Sequence, residues 1–217
     1  MGFHNGARVV NDSLVFCFDA GNDKCTDADD AVASMRDIAP IAHSSRTDRG
    51  ITGTGNTGNF SFPTNMGASK VIDLSISDRN AADDADDYDN RLVLDDDLSL
   101  GDEVAWSFEF CGKLDTNSVN TFHSLGGKGG TSPWIIQHKS GANSWTMRFR
   151  ENDATYRTSA TQTDDARDWH HMVFTAATDR TMKMYINGAL ISTFTLNNST
   201  VTLNRIMAGY SSSTSRY

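Results

Sequence analysis

Short segments in which apolar and polar residues alternate recur along the chain. Every second side chain in them is apolar, which is the period of a β-strand with one buried and one exposed face. The apolar side chains that this pattern predicts to be buried are Trp106, Phe108, Phe110, Met147, Phe149, Phe174, Met184 and Ile186. Nowhere does a long window show the i, i+3, i+4, i+7 spacing of an amphipathic helix. The pattern therefore predicts strands.

The predicted strands are joined by segments rich in glycine, asparagine and aspartate. They cover residues 14–19, 70–74, 91–94, 104–111, 121–125, 134–138, 145–150, 169–176, 182–186, 190–196 and 201–207. Asn187 and Gly188 separate two of them and tolerate the positive φ angles of a two-residue hairpin turn. Residues 44–67 hold few large apolar side chains and are predicted to form surface loops. We therefore expect an all-β fold, a two-sheet antiparallel jelly-roll sandwich formed as one domain by residues 1–217.

Acidic residues are concentrated in one part of the chain. The net charge is −9, and residues 73–103 contain twelve carboxylates against two arginines. Such a surface repels phosphates, so we expect no nucleic-acid partner. Because residues 1–10 lack the apolar stretch of a secretion signal and no run is long enough to span a bilayer, we expect no membrane insertion. The three cysteines include no C-x-x-C pair, which favours neither a disulfide framework nor a zinc cluster.

Several sequence phrases resemble those of one protein family. Residues 14–24 read LVFCFDAGNDK and residues 106–110 read WSFEF. The most specific pair is DWHHMVFT at residues 168–175 followed by MYING at residues 184–188. Together these phrases resemble the laminin-G-like, concanavalin A-like domains found in particles of tailed phages and marine viruses.

The resemblance implies a role other than catalysis. It implies a virion structural or decoration protein, exposed on a phage capsid or tail fibre and assembled in the host cytoplasm. Its implied partners are other virion proteins or copies of itself, together with glycans on the host cell surface. A free carbohydrate-binding lectin and a glycoside hydrolase are the alternatives. Assembly on a particle would distinguish the virion protein from the free lectin.

The C-terminal segment departs from the family pattern. Members usually end in a further strand of the type Gly-x-Ile-x-x-Val-x-Ile-Tyr, whereas residues 211–217 read SSSTSRY. Unpaired strand edges template association. We therefore expect the edge near residues 206–217 to be covered by another chain or by residues absent from this sequence.

Catalytic motifs are scarce. Glycosidases of this fold type hold two carboxylates on one strand, as acid and nucleophile, but the phrase Glu-x-Asp-x-x-Glu is absent and Glu109 stands alone. His170 and His171 are strand neighbours that point to opposite faces, so they cannot chelate one ion together. The resemblance gives His171 a structural role. No Cys–His pairing or nucleophile elbow is evident, so we expect no enzymatic activity.

Aromatic and arginine side chains are the predicted glycan-binding groups. Aromatic rings cover the apolar face of a sugar, while planar polar groups bind its hydroxyls. The predicted positions are Trp134, Arg148, Arg150, Tyr156 and Tyr185. The alternation of residues predicts that Arg148, Arg150 and Tyr185 face away from the core. Trp134 and Tyr156 fit a role as core aromatics equally well.

A cluster of aspartates offers oxygen ligands to a hard cation. Its members are Asp83, Asp84, Asp86, Asp87 and Asp89. They do not form an EF-hand, because the sixth position is not glycine and the twelfth is not glutamate. The cluster is expected to be a solvated acidic loop without a bound ion. The alternative is a calcium site, which the resemblance implies because laminin-G-like domains often hold calcium at the rim of the sandwich, and no other cofactor is expected.

Overall fold

The regular structure of the chain consists of β-strands. A computed structural model describes residues 35–36, 50–54, 60–61, 64–65, 69–70, 73–74, 91–113, 121–127, 134–141, 143–151, 155–206 and 210–211. The strands are β1 Met35–Arg36, β2 Gly50–Thr54, β3 Phe60–Ser61, β4 Thr64–Asn65, β5 Ser69–Lys70, β6 Asp73–Leu74, β7 Arg91–Leu100, β8 Trp106–Gly112, β9 Thr121–Gly127, β10 Trp134–Gly141, β11 Ser144–Arg150, β12 Tyr156–Thr158, β13 His170–Ala176, β14 Thr181–Ile186, β15 Ala189–Thr195, β16 Val201–Ile206 and β17 Tyr210–Ser211. Within these ranges there is no helix of the length and apolarity that a bilayer crossing requires.

Two antiparallel sheets contain most of these strands. The larger has nine strands in the order β1-β2-β7-β16-β9-β10-β11-β12, with β17 also paired to β9. The smaller has four strands in the order β15-β14-β13-β8. Two short two-stranded ladders, β3 with β6 and β4 with β5, complete the described pairings. The predicted all-β antiparallel fold class is confirmed.

The two sheets pack face to face through aromatic contacts. Trp106 of β8 lies 5.7 Å, between ring centroids, from Phe149 of β11. The ring of Trp145, also on β11, lies 4.7 Å from that of His170 on β13. The buried apolar side chains around these contacts come from both sheets and the connecting segments: Leu94, Leu98, Leu125, Ile135, Met147, Ala166, Met172, Phe174, Ala176, Met182, Met184, Ile186, Leu196, Val201 and Leu203. Residues that alternate along each strand therefore form one core between the sheets.

Two of the predicted core aromatics are less buried than expected. Phe108 and Phe110 are half-buried, whereas the other six predicted core side chains are buried. Both lie on β8, which has a neighbouring strand on one side only among the described residues. The ring of Phe110 lies over Gly112, where an added Cβ would come within 2.2 Å of it. An outer strand covers its inward side chains on fewer sides, which explains their partial exposure.

The predicted hairpin turn connects β14 to β15. Asn187 and Gly188 have φ angles of 49° and 81°, as a type I′ turn requires. The turn is also tied to β13, because the Asn187 side-chain oxygen accepts a hydrogen bond from the backbone N–H of His171 at 2.9 Å. In return, the backbone N–H of Asn187 donates to the carbonyl of His171 at 2.8 Å. The hairpin prediction is confirmed.

The prediction of loops over residues 44–67 is wrong in part. This segment contains β2, which pairs with β7 from Ile51 opposite Leu94 to Thr54 opposite Arg91. Backbone hydrogen bonds to β1 and β7 hold this strand although Ile51 is its one large apolar residue, so its composition resembles that of a loop. The predicted strand at residues 14–19 lies outside the described residues.

The expectation that the edge near residues 206–217 is covered by another chain or by residues absent from this sequence is wrong for β16 and β17. β16 lies inside the nine-stranded sheet, with β7 on one side and β9 on the other. β17 then pairs with β9, Tyr210 lying opposite His123. The chain therefore pairs this segment itself, and an edge at β16 gives no physical reason for assembly. Residues 212–217 lie outside the described part of the chain.

A glutamine lies in the core without a hydrogen-bond partner. Gln137 of β10 is 1% exposed and pairs in register with the buried Met147 of β11. Within the described structure, neither its amide oxygen nor its amide nitrogen is hydrogen-bonded. A buried polar group in this state costs about 1 to 3 kcal/mol.

We therefore expect Gln137→Met to raise the free energy of unfolding by about 1 to 3 kcal/mol, because a thioether of similar length needs no partner. Urea denaturation measures the change. Gln162→Met is the matched control, since the half-buried Gln162 donates through Nε2 to the carbonyl of Ala160 at 2.9 Å and should gain nothing. A loss of stability in Gln137→Met would mean that its amide is hydrogen-bonded in solution.

Candidate functional site

Strands β10, β11 and β12 bring together four of the five predicted glycan-binding positions. The register places Trp134 of β10 opposite Arg150 of β11, and Arg150 opposite Tyr156 of β12. Two residues further along the same face, Arg148 of β11 pairs with Thr158 of β12. Because register partners share a face of the sheet, Arg150 and Tyr156 lie side by side. Four residues from three consecutive strands thus occupy one end of the nine-stranded sheet.

The two arginines lie on the face of β11 that points away from the core. The alternating residues Met147 and Phe149 are fully buried, while Arg148 and Arg150 are half-buried. The guanidinium carbon of Arg150 lies 5.9 Å from the centroid of the Tyr156 ring, within the range of a cation–π contact. The Nε atom of Arg148 donates to the hydroxyl of Thr146 at 3.3 Å. These contacts orient both guanidinium groups.

Tyr156 is a surface residue and not a core aromatic. Its side chain lies on the outer face with Arg150, and the residue is 37% exposed. The intervening residue of β12, Arg157, instead donates through Nε to the buried Glu151 at 2.6 Å. Of the two interpretations open for Tyr156, the structure therefore supports an exposed ring. The side chain of Trp134 lies outside what the structure describes.

The fifth predicted position, Tyr185, lies on the other sheet. Its register row crosses all four strands, from Leu190 of β15 through Tyr185 and Val173 to Glu109 of β8. Tyr185 and Val173 are half-buried, while Leu190 is 54% exposed. Since the two sheets pack through their inner faces, Tyr185 cannot share a site with the arginines of β11.

The adjacent histidines separate as the strand geometry predicts, with one difference. His170 is buried against Trp145, and its Nε2 lies 2.7 Å from Asp164 Oδ2. His171 is on the outer face, with Nε2 2.6 Å from Glu109 Oε1. The histidine packed in the core is therefore His170, whereas His171, to which the resemblance gives a structural role, contacts Glu109 on the outer face. The sequence does contain a signal for the burial of His170, because it alternates with the buried Met172 and Phe174 on the same strand.

The structure also places a cysteine opposite His171, which the sequence did not reveal. Cys111 of β8 is exposed and pairs in register with His171. Partial desolvation and the nearby Glu109 carboxylate raise the pKa of the Cys111 thiol. A nucleophilic cysteine requires a lowered pKa, so the arrangement lacks the activation that thiolate chemistry needs.

A polar network at one end of the sandwich was not evident from the sequence. Asp102 accepts hydrogen bonds from the backbone N–H of Ser199 at 2.8 Å and from Arg180 Nε at 3.1 Å. The backbone N–H of Ser199 and the Arg180 guanidinium hold the pKa of Asp102 at about 2, below its ordinary value of 3.8. Trp106 Nε1 donates to the carbonyl of Ser199 at 2.8 Å. Asp102 is therefore ionised at neutral pH and serves as a structural acceptor, not as a general acid.

A second carboxylate, Glu151, is completely buried just after β11. One oxygen accepts from Arg157 Nε at 2.6 Å, and the other accepts from the backbone N–H groups of Asn197 and Asn198 at 2.6 and 2.9 Å. Its carboxylate thus joins β12 to the connection between β15 and β16. With these partners the group is structural, and no sequence pattern distinguishes it from a surface glutamate.

The predicted calcium ligands cannot be placed. The cluster Asp83, Asp84, Asp86, Asp87 and Asp89 lies outside the described residues. Among the residues that are described, no three histidine, cysteine, aspartate or glutamate side chains converge to hold a metal ion. Both interpretations of the cluster, a solvated loop and a calcium site, stay predictions.

Two packed antiparallel sheets with buried inner faces define a β-sandwich of the lectin-like class. A family model described as the concanavalin A-like lectin/glucanases superfamily matches residues 86–217. The chain belongs to this superfamily. The matched region includes β13, β14 and the turn at Asn187 and Gly188, which carry the most specific sequence phrases. Comparison with curated proteins gave no match.

Two solved structures have a similar fold. The first, the binding domain of Paraclostridial Mosquitocidal Protein 1, is 14% identical with a TM-score of 0.51, covering 92% of this chain and 47% of that one. The second, a mutant of HCR D/C VPI 5995, is 12% identical with a TM-score of 0.51, covering 93% of this chain and 46% of that one. The chain thus spans a little less than half the length of each. At these identities the likeness concerns the fold alone.

Proposed function

We propose that this chain is a non-catalytic glycan-binding domain of a phage particle, exposed on the capsid or tail. The observation that carries the glycan-binding part is the contact between Arg150 and Tyr156 on the outer face of the nine-stranded sheet. The virion part is supported by the sequence phrases shared with phage and marine-virus particle proteins. Other virion proteins or further copies of the chain are then its partners in the particle, and the host surface supplies the glycan.

The Arg150–Tyr156 contact has the chemistry of a sugar platform. An exposed ring covers the apolar face of a pyranose, and flanking planar donors bind its hydroxyl or acidic groups. Tyr156 is oriented by Arg150 before any ligand binds, so little side-chain entropy is lost on binding. Arg148 lies on the same face, two register rows from Arg150. The platform therefore combines one exposed aromatic ring with two half-buried guanidinium groups on the same face of the sheet.

Glycan binding should depend on Tyr156. We expect Tyr156→Ala to weaken binding about ten-fold, because loss of the ring removes both apolar contact area and a stacking contribution of about 0.5 to 1.5 kcal/mol. A glycan array of neutral and acidic oligosaccharides, followed by calorimetry on the best ligand, measures the effect. Tyr185→Ala is the matched control, since it removes the same ring from the other sheet. Binding that survives Tyr156→Ala and disappears in Tyr185→Ala would move the site to the four-stranded sheet.

We expect no glycan hydrolysis. Glycosidases require two positioned carboxylates, and the closest side-chain contact of Glu109 is His171. Asp102 and Glu151, the carboxylates of the two polar networks, are committed to structural hydrogen bonds. Incubation with laminarin and agar, followed by a reducing-end assay, is the measurement. Reducing ends that form with the native protein and not with Glu109→Gln would make the chain an enzyme.

The particle location has its own test. If the chain is a virion component, purified particles of the phage that encodes it should contain it in stoichiometric amounts by mass spectrometry. Antibody labelling followed by electron microscopy would then locate it on the capsid or tail. Recovery of the chain only from the particle-free fraction would favour the alternative, a free carbohydrate-binding lectin.

A further inference from the structure

We infer that the outer face of the four-stranded sheet is an interface between two copies of this chain. This face is the surface of β8, β13, β14 and β15 that points away from the nine-stranded sheet. The proposed glycan site lies on the other sheet, and the contact between copies needs no sugar. It is therefore a second interface, separate from the one in the proposed function.

An apolar row crosses the outer face of the four-stranded sheet. Leu190, Tyr185 and Val173 lie side by side in register on β15, β14 and β13. Leu190 is 54% exposed, while Tyr185 and Val173 are half-buried. The outward positions of an antiparallel sheet are usually polar where they face water. Contiguous apolar side chains at such positions are typical of a protein–protein contact.

The charges on this face are balanced. The four strands contain one carboxylate, Glu109, and one lysine, Lys183, in a chain whose net charge is −9. Both side chains are exposed, Glu109 at the end of the apolar row and Lys183 in the next outward row, opposite Thr175. Two copies of a protein with this net charge repel each other on average. A face with one charge of each sign avoids that repulsion, which favours a second copy as its partner.

Both charges are accessible to a partner. The Glu109 side chain is 70% exposed, and in the described structure only its Oε1 atom contacts another polar group, 2.6 Å from His171 Nε2. Lys183 forms no hydrogen bond or ion pair within the described residues. Its nearest counter-charge is Asp179, whose pKa is lowered mainly by the backbone N–H of Thr181 and to a smaller extent by Lys183. A two-fold contact that brings Glu109 of one copy to Lys183 of the other forms this ion pair twice.

The size of the face determines the strength of the contact. Four strands of six or seven residues, about 4.8 Å apart, cover roughly 20 by 20 Å, or about 400 Å² of projected area on each copy. Two copies therefore bury at least about 800 Å², which is less than the roughly 1,200 Å² of a stable interface. We expect a reversible dimer with a dissociation constant of about 10 to 100 μM, as is usual for small interfaces. Many copies on one particle would raise the effective concentration and strengthen the contact.

Sedimentation equilibrium of the whole chain without glycan, from about 1 to 300 μM, measures the dimer. We expect Glu109→Lys and Lys183→Glu each to weaken it at least about ten-fold, because each single reversal places like charges opposite each other twice. The double variant restores opposite signs and should return to within about three-fold of the native dissociation constant. Leu190→Ser should also weaken the dimer about ten-fold, through lost apolar contact on both copies. Val104→Ser is the matched control, since Val104 is an exposed apolar residue outside this face and should change nothing.

Three results would overturn the inference. A monomer at every concentration would mean that the face does not bind a second copy. A dimer that is unaffected by the charge reversals and by Leu190→Ser would use another surface. Single reversals that weaken the dimer without recovery in the double variant would show that Glu109 does not pair with Lys183 across the contact. Glycan binding on β11 and β12 is measured separately, so its failure would overturn the proposed function and leave the dimer standing.

Discussion

Trp106→Ala should lower the free energy of unfolding by about 3 to 5 kcal/mol, the usual cost of removing a large buried aromatic side chain. Trp106 is 7% exposed and packs against Phe149, so its ring is one of the main contacts between the two sheets. Its indole nitrogen also hydrogen-bonds the carbonyl of Ser199, which holds the start of β16 close to β8. The alanine variant loses both contacts. It also leaves a cavity between the two sheets, which neither sheet can easily close by moving.

Urea denaturation is the measurement. We expect the urea concentration at the unfolding midpoint to fall, while the dependence of the unfolding free energy on urea concentration stays the same. Trp106→Phe is the matched control, because it retains a ring against Phe149 and loses the hydrogen bond to Ser199 together with part of the packed volume. We expect it to cost about 1 to 2 kcal/mol, well below the alanine variant. A loss below about 1 kcal/mol in Trp106→Ala would show that this side chain does not fill the space between the sheets.

The strands could be predicted because their side chains alternate locally. On β14, Met182, Met184 and Ile186 are buried while Lys183 is exposed, and the sequence alone contains this period of two. The turn after β14 was equally predictable, because asparagine followed by glycine is the pair that best tolerates positive φ angles. These signals depend only on residues that are close together in the sequence.

The order of the strands could not be predicted in the same way. β16 lies between β7 and β9, although residues 101–200 separate the end of β7 from the start of β16. Alternation indicates which face of a strand is buried, but it contains no information about which strand lies beside it. For this reason the sequence did not reveal that β16 lies inside the nine-stranded sheet. For the same reason, the row from Trp134 through Arg150 to Tyr156 became evident only with the register.

Buried polar groups are the other features that the sequence did not reveal. Glu151 and Ser199 are both fully buried, although their residue types are usually exposed. Each is buried because partners from distant segments satisfy its hydrogen bonds, and such partners cannot be identified from local sequence. Glu151 is the more informative of the two, because the partners of its carboxylate come from two separate segments.

Glu151→Ala should destabilise the protein by about 3 to 5 kcal/mol, the usual cost of removing one partner of a buried ion pair. The alanine variant would leave Arg157, whose side chain is only 23% exposed, without its carboxylate. It would also leave the backbone N–H groups of Asn197 and Asn198 without the acceptor that joins them to β11. Both effects contribute to the loss, because Arg157 and Asn198 are only partly exposed to water.

The control is the ion pair between Arg167 and Asp165, whose side chains are 47% and 28% exposed. Solvent screens this pair, so Asp165→Ala should cost no more than about 1 kcal/mol. A double-mutant cycle of Glu151→Ala with Arg157→Ala, followed by urea denaturation, separates the pair from the backbone contacts. If most of the loss persists when Arg157 is already alanine, the contacts to Asn197 and Asn198 dominate, and Glu151 acts mainly by holding the connection into β16. A loss in Glu151→Ala no larger than that in Asp165→Ala would mean that the carboxylate is solvated in solution and does not join the strands as the structure indicates.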